Sequence, residues 1–146
     1  MFRGNCPTRL DDKGRLKIPA DFKHEIDRNY DSEFYITSRD KKVVDLYPLK
    51  EWEQIEERIA KLPSSNAAVQ KFLNITSYFG QVVSMDPQGR LTIGDRLRAQ
   101  FGLKGEVAVV GKLNHIEIRP MDEFKEYIDT NSISDEENDQ LAQLGI

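Results

Sequence analysis

Two short segments of the sequence place an aspartate four residues before an arginine, with a glycine between them. DDKGRLKIP begins at Asp11 and DPQGRLTIG begins at Asp86. An Asp at the first position and a Gly at the fourth are typical of a type I turn followed by a left-handed residue. The aspartate can accept backbone N–H groups, and glycine adopts positive φ at little cost. The residues predicted to structure the two turns are Asp11, Gly14, Asp86 and Gly89.

The arginine that follows each turn has a side chain that could bind a ligand. Arg15 and Arg90 carry planar guanidinium groups, which suit phosphate oxygens or guanine edges. A turn does not require an arginine at the same following position twice, nor Leu-x-Ile after each one, so the duplication favours a shared function. Each preceding aspartate could pair with its arginine within one half of the chain or across to the other half. A purely structural brace is the alternative for each pair.

These turns must be positioned by strands and helices, which the hydrophobic periodicity predicts. The predicted strands reach Leu10 and span 15–18, 33–38, 43–47, 81–85, 90–93, 106–111 and 115–119. The predicted helices run from Pro19 through Ile26 and over 49–62, 66–78, 95–101 and 121–129. Asn66 is a good N-cap and Gly102 a good C-cap for the helices beside them. The order strand, turn, strand, helix, hairpin, helix therefore occurs twice.

The repeated order divides the chain into four parts. They are a first repeat over 1–48, a helical insert over 49–79, a second repeat with a closing helix over 80–128, and an acidic tail over 129–146 that we expect to be mobile. Four apolar residues of the insert fall at helical spacing and predict a core-facing side, namely Trp52, Ile55, Ile59 and Leu62.

Composition leaves nucleic-acid binding open. The 146 residues carry a formal charge of -4, but residues 1–28 hold seven Lys/Arg against five Asp/Glu, and 117–146 hold two against nine. Nucleic-acid binding depends on a local basic surface more than on the total charge. The N-terminus lacks a signal-peptide pattern, no segment is apolar enough to span a membrane, and the single Cys6 excludes an internal disulfide. We therefore expect a cytoplasmic protein.

No pattern in the sequence indicates an enzyme, a cofactor or a metal site. The only histidines, His24 and His115, have no second ligand at metal-binding spacing, and surface or helix-end roles are the simpler interpretation. A phosphate-binding loop, a Ser-His-Asp order and an EF-hand are also lacking. We expect no catalytic residues and no small-molecule substrate.

Longer stretches around the two turns resemble the MraZ family of bacterial transcriptional regulators. The resemblance lies in MFRGNCPTRLDDKGRLKIPADF, in DLYPLKEWEQIEERIAKLP and in MDPQGRLTIGDRLRAQFGLKGEVAVVGKLNHIEI, and it covers roughly residues 1–128. It implies an α+β, mainly β fold in which two pseudo-symmetric SpoVT-AbrB-like halves interleave into a β-barrel with flanking helices. One departure is that Pro19 of the first copy is replaced by Gly94 in the second, where Gly is an acceptable N-cap.

The resemblance also implies a function. It indicates a nucleoid-associated regulator of the division and cell-wall gene cluster, which binds short direct repeats in its own double-stranded promoter DNA and assembles into a ring of identical subunits. On this sequence the DNA-binding residues would be Arg15 and Arg90, and Lys13 and Lys17 would add phosphate contacts. We expect the Asp11–Arg15 hairpin to enter or border the major groove as a two-stranded ribbon.

Two other classes of function compete with this prediction. An antitoxin-like or other protein-interaction module of the same fold superfamily could use the acidic C-terminal region to hold a partner. The two fused copies and the long insert argue against it, since such antitoxins usually carry one copy of the turn and dimerise through it. A small enzyme is the third class, and no constellation of residues supports it.

Overall fold

The computed structural model describes residues 1–146 and contains eight strands and six helices. The strands are β1 (Asn5–Arg9), β2 (Arg15–Lys17), β3 (Glu33–Thr37), β4 (Val44–Pro48), β5 (Gln81–Ser84), β6 (Arg90–Thr92), β7 (Glu106–Gly111) and β8 (Ile116–Pro120). The helices are α1 (Ala20–Asn29), α2 (Leu49–Ala60), α3 (Ala67–Tyr78), α4 (Asp95–Phe101), α5 (Met121–Thr130) and α6 (Asp135–Gln143). The α+β class is confirmed. "Mainly β" holds for the central sheet only, because the helices contain more residues than the strands.

The two halves exchange strands. Six strands form one sheet in the order β1-β7-β8-β4-β3-β5, and β2 pairs with β6 in a separate two-stranded ribbon. The first strand of each half therefore pairs with the third strand of the other half, while the fourth strands meet at the centre. This palindromic order shows the interleaving and the pseudo-two-fold relation that the resemblance implied.

The register places the pseudo-two-fold axis at two residue pairs. In the ribbon, Leu16 lies opposite Leu91, flanked by equivalent pairs on either side. At the centre of the six-stranded sheet, Asp45 of β4 lies opposite Glu117 of β8. Any contact made at these positions joins the first half of the chain to the second.

The core lies between the sheet, the ribbon and the short helices. Leu16 and Leu91 are buried on the inner side of the ribbon, and Phe22 and Ile26 of α1 and Leu97 of α4 pack into the same cluster. The strand pairs do not close a barrel: β1 and β5 are the edges of the six-stranded sheet. Closure of the barrel stays a prediction.

The prediction that one side of the insert faces the core is wrong in part. Trp52 is buried, but Ile55 and Ile59 are half-buried and Leu62 is 51% exposed. Val69 and Phe72 of α3 line the same open surface pocket as Ile55 and Ile59 and are also only half-buried, so α3 does not cover these two side chains fully. The caps were predicted correctly: the Asn66 side chain accepts from the backbone N–H groups of the first turn of α3, and Gly102 ends α4 with φ 63°.

The C-terminal segment is not irregular. Ser134 and Glu137 form a reciprocal capping box that begins α6, which we had not predicted from the acidic composition. Almost every residue of this helix is exposed. Mobility of the tail stays a prediction. Among the helices of the chain, none combines the length and the apolar character that a membrane crossing requires.

Candidate nucleic-acid interface

The first turn has the hydrogen bonds that its residue types predict. Gly14 has φ 79°, and its N–H donates to the carbonyl oxygen of Asp11 at 3.0 Å. Asp11 Oδ1 accepts from the backbone N–H of Lys13 at 3.0 Å and from that of Arg15 at 2.8 Å. The aspartate therefore holds the backbone of the turn in place.

The second turn repeats this geometry. Gly89 has φ 77° and donates to the carbonyl of Asp86 at 2.9 Å. Asp86 Oδ1 accepts from the backbone N–H groups of Gln88 and Arg90, both at 2.9 Å. The four residues assigned to turn structure thus occupy equivalent positions in both halves.

These hydrogen bonds also set the charge state of the two aspartates. The backbone N–H of Arg15 is the largest cause that lowers the pKa of Asp11 below 3.8, and the Arg15 side chain adds to it. The backbone N–H of Arg90 lowers the pKa of Asp86 in the same way. Desolvation opposes both shifts. Both carboxylates are therefore ionised throughout the neutral pH range.

Each arginine is held at one nitrogen and free at the others. Arg15 Nε donates to Asp11 Oδ2 at 2.5 Å, and Arg90 Nε donates to Asp86 Oδ2 at 3.1 Å. The pairing is therefore within each half, not across. The terminal guanidinium nitrogens of both residues make no hydrogen bond or ion pair in the chain, and their side chains are about one-third exposed, at 36% and 30%. The aspartate orients the guanidinium group and leaves its outer edge available to a ligand.

The pairing of β2 with β6 brings both arginines to one surface. Arg15 lies opposite Thr92, and Lys17 lies opposite Arg90. Because side chains alternate across a strand and the intervening leucines are buried, these four residues share the outer side of the ribbon. We call this set the ribbon face: Arg15, Lys17, Arg90 and Thr92.

The ribbon differs from the one we expected. We had predicted that the two strands flanking the first turn form it, but β1 pairs with β7, and only an isolated bridge between Leu10 and Leu16 joins the strands across that turn. The strand after each turn instead pairs with its counterpart from the other half. Hairpin signals in the sequence are local, and they do not report this exchange of partners.

The two predicted lysines lie in different settings. Lys17 Nζ donates to the carbonyl of Gln88 at 2.7 Å, so it ties the ribbon to the tip of the second turn. Lys13 is exposed at the tip of the first turn, and its side chain has no partner in the chain. Lys13 is thus the freer cation of the two.

Cross-half hydrogen bonds support the turns from behind. The N–H of Ile93 donates to the Gly14 carbonyl at 2.8 Å, and the N–H of Ile18 donates to the Gly89 carbonyl at 2.9 Å. Arg98 was not predicted as part of the site, yet its Nε donates to the Ile93 carbonyl at 2.9 Å and its side chain lies against Gly14. No local pattern in the sequence marks Arg98 for this contact, because Gly14 is distant in the chain.

The exchange of Pro19 for Gly94 leaves the helix entry unchanged. Pro19 precedes α1 with φ -55° and ψ 145°, and Gly94 precedes α4 with φ -65° and ψ 157°. The expected role of Gly94 as an N-cap is therefore confirmed, and both short helices begin from extended backbone.

Comparison with known proteins gives a consistent result along the chain. The sequence model of the family described as "MraZ protein, putative antitoxin-like" matches residues 1–75 and 80–144. The chain is 50% identical over 147 residues to a protein of Koribacter versatilis and 46% identical over 146 residues to one of Acidobacterium capsulatum. A protein of Alkaliphilus metalliredigens is 32% identical over 148 residues. Each of these matches covers the full length of both chains, and each relative is named "Transcriptional regulator MraZ".

Proposed function

Because the chain belongs to the MraZ family, we propose that it is a transcriptional regulator that binds double-stranded promoter DNA through the ribbon face. One observation carries the proposal. The pairing of β2 with β6 places Arg15 and Arg90 on one surface, each oriented by its own aspartate and each with free terminal nitrogens. An arginine that served only as a structural brace would not need exposed terminal nitrogens.

The size and chemistry of the ribbon suit the major groove of DNA. That groove is about 12 Å wide and admits a two-stranded β-ribbon. A guanidinium fork can donate two hydrogen bonds to a guanine edge or to phosphate oxygens. Lys13 would add a phosphate contact at the tip. The contribution of this local surface is compatible with the negative charge of the whole chain, since the acidic residues concentrate near the C-terminus.

The DNA target is taken from the resemblance to the MraZ family. We propose that the protein binds short direct repeats in the promoter upstream of its own gene cluster, the division and cell-wall cluster, and that it acts in the cytoplasm at the nucleoid. The physics of the ribbon supports DNA binding in general.

We further propose that the ribbon closes the sheet into a barrel. The edge strands β1 and β5 each lead through one of the two turns directly into a ribbon strand. The ribbon therefore connects to both edges of the six-stranded sheet and covers its apolar side through Leu16 and Leu91. The two repeats, the insert and the tail keep the boundaries given above in this proposal.

Self-association into a ring would multiply the binding of one ribbon. Non-specific affinity for DNA is typically only about 10⁻⁴ to 10⁻⁶ M, and linking several sites can raise avidity by roughly 10²–10⁴. The incompletely covered residues Ile55, Ile59 and Leu62 of the insert support this, because they leave apolar surface for a second subunit. Light scattering with promoter titration tests it. A monomer that binds a multi-repeat promoter no better than a single repeat contradicts the ring.

The central experiment compares Arg15→Ala with Arg28→Ala in binding to the native upstream region. Arg28 is an exposed residue of α1 whose side chain makes no hydrogen bond or ion pair, so it controls for the loss of one positive charge. We expect Arg15→Ala to lose promoter affinity with a nearly unchanged thermal midpoint, and Arg28→Ala to retain both. If Arg15→Ala melts much earlier and binds normally once folded, Arg15 is a brace. Co-purification with a small basic protein, without DNA binding, would favour the antitoxin-like alternative.

A further inference from the structure

Three side chains with metal-binding chemistry meet at the central strand pair. Asp45 of β4 and Glu117 of β8 lie directly opposite each other, and His115 immediately precedes β8. One ligand atom from each of the three lies within 4.8 Å of the others. They border an open cavity of about 660 Å³. The cluster includes residues from both halves of the chain.

The two carboxylates, one buried and one partly buried, make few hydrogen bonds. Asp45 is only 4% exposed; its Oδ2 accepts from the Arg39 backbone N–H at 3.3 Å, but its Oδ1 accepts no hydrogen bond. Glu117 accepts none, and Lys112 Nζ lies 3.9 Å from its Oε2. Like charges directly opposite each other in a sheet are destabilising, and buried charges are normally paired or coordinate metals. Burial, together with the nearby Asp45 carboxylate, raises the pKa of Glu117.

The histidine is oriented toward these carboxylates. Its ring stacks on Tyr47 with centroids 4.4 Å apart, and its Nδ1 lies 2.9 Å from Asn114 Oδ1. Since that oxygen can only accept, the pair is satisfied when Nδ1 carries the proton. The bare Nε2 then faces Asp45 Oδ1 at 3.6 Å, beyond hydrogen-bond distance. A histidine held at one nitrogen by an acceptor, with a lone pair on the other, is the arrangement found in metal sites.

We propose that Asp45, His115 and Glu117 bind one divalent first-row transition-metal ion, with Zn²⁺ as the best-matched case. An imidazole ligand favours such ions over Mg²⁺ and Ca²⁺. Tetrahedral bonds of about 2.0–2.2 Å set ligand atoms roughly 3.4 Å apart. The Asp45–His115 distance is already close to that value. The Glu117 carboxylate lies within 4.8 Å of the other two ligand atoms, so it must approach by at most about 1.4 Å. No hydrogen bond holds it back, and its ion pair with Lys112 is long, at 3.9 Å. Water from the cavity completes the coordination.

Bound metal would join the two halves of the chain. It links β4 of the first half to β8 of the second at the pseudo-two-fold axis and neutralises two opposed carboxylates. Because the ligands must be assembled by folding, binding should stabilise the folded state in proportion to the logarithm of the metal concentration. This role is independent of the ribbon face.

The test uses the full chain without a polyhistidine tag, stripped with a chelator and titrated with Zn²⁺ by calorimetry. A pH of about 7.5 keeps an ordinary histidine neutral. We expect one Zn²⁺ per chain, a raised thermal midpoint, and much weaker binding of Mg²⁺. His115→Gln should weaken Zn²⁺ binding by at least about tenfold. His24→Gln is the matched control, because His24 is the other histidine and is exposed on α1; it should bind as the wild type does.

Two further variants make the result decisive. Glu117→Gln preserves the shape of the side chain and should also weaken Zn²⁺ binding, which keeps the test valid if His115→Gln fails to fold. Cys6→Ser should leave binding unchanged. The proposal is overturned if the wild type binds Zn²⁺ no more tightly than Glu117→Gln does, or if Cys6→Ser or His24→Gln abolishes binding.

Discussion

The two turns share a backbone but differ in what surrounds them. In both turns, the aspartate carboxylate accepts hydrogen bonds from two backbone N–H groups and from the Nε–H of the arginine. The first turn carries Lys13 at its tip where the second carries Gln88, and Lys17 of β2 corresponds to Thr92 of β6. The common geometry therefore follows from the shared Asp, Gly and Arg, and the first copy has the greater positive charge.

The packing around the glycines of the two turns differs still more. A Cβ added at Gly14 would lie 2.5 Å from Arg98 Nε and 2.6 Å from the Ile93 carbonyl oxygen. A Cβ added at Gly89 would meet only the flexible side chain of Lys23, at 3.3 Å. The pseudo-symmetry holds for hydrogen bonds along the chain but not for packing behind the turns. The first turn is thus more charged and more tightly packed, which predicts unequal effects of matched substitutions.

The largest difference should come from the glycines. Gly14→Ala should lower the free energy of unfolding by about 2–5 kcal/mol, because left-handed strain adds to a clash with a fixed carbonyl. Gly89→Ala should cost about 1–2 kcal/mol, since only the backbone strain applies. Denaturant unfolding measures both.

Gly4→Ala is the control for the glycine comparison. Gly4 has φ 87° with nothing within 4 Å of an added Cβ, so it isolates the cost of strain. Equal losses at Gly14 and Gly89 would show that the packing behind the first turn yields without cost.

Matched substitutions of the two arginines should differ less in effect than those of the two glycines. Arg15→Lys and Arg90→Lys keep the charge but remove the fork, so each should lose about 1–3 kcal/mol of discrimination between promoter and unrelated DNA. Anisotropy titrations against both DNAs measure this. Loss at Arg15 with none at Arg90 would make the second arginine a brace and break the functional symmetry of the ribbon face.

Exchanging the tip residues should have a smaller effect, seen mainly in the dependence of binding on salt. Lys13→Gln should reduce the slope of log K against log salt by about 0.9, because one phosphate contact is lost. Gln88→Lys should steepen it by a similar amount if the second tip also approaches the backbone. An unchanged slope in Gln88→Lys would place the second tip away from DNA.

The aspartates should show the smallest and most symmetric effect. Their pKa values are lowered in the folded state, so their stabilisation is present above the unfolded value of 3.8 and is lost as pH falls through the folded value. Asp11→Asn and Asp86→Asn should therefore be less stable than wild type near neutral pH, and the gap should close in acid. Urea unfolding at a series of pH values from about 7 down to about 2 tests this. A gap that persists in acid would point to packing instead of charge.

The sequence by itself determined the local elements and the two turns. Strand, helix and turn positions depend on hydrophobic periodicity, caps and the conformational freedom of Gly14 and Gly89, all of which are properties of neighbouring residues. The Asn66 and Gly102 caps followed in the same way. The family resemblance added the exchange of strands, which local patterns do not contain.

Only the tertiary structure decided which particular strands and side chains meet. The ribbon joins strands from opposite halves, Arg98 lies behind Gly14, and Ile55 and Ile59 are not fully covered. His115 looked isolated because Asp45, one of its two acidic neighbours, is distant in the chain. The physical reason is common to all these cases: pairing and packing depend on contacts between remote segments, and the residues within one segment do not encode which remote segment will cover them.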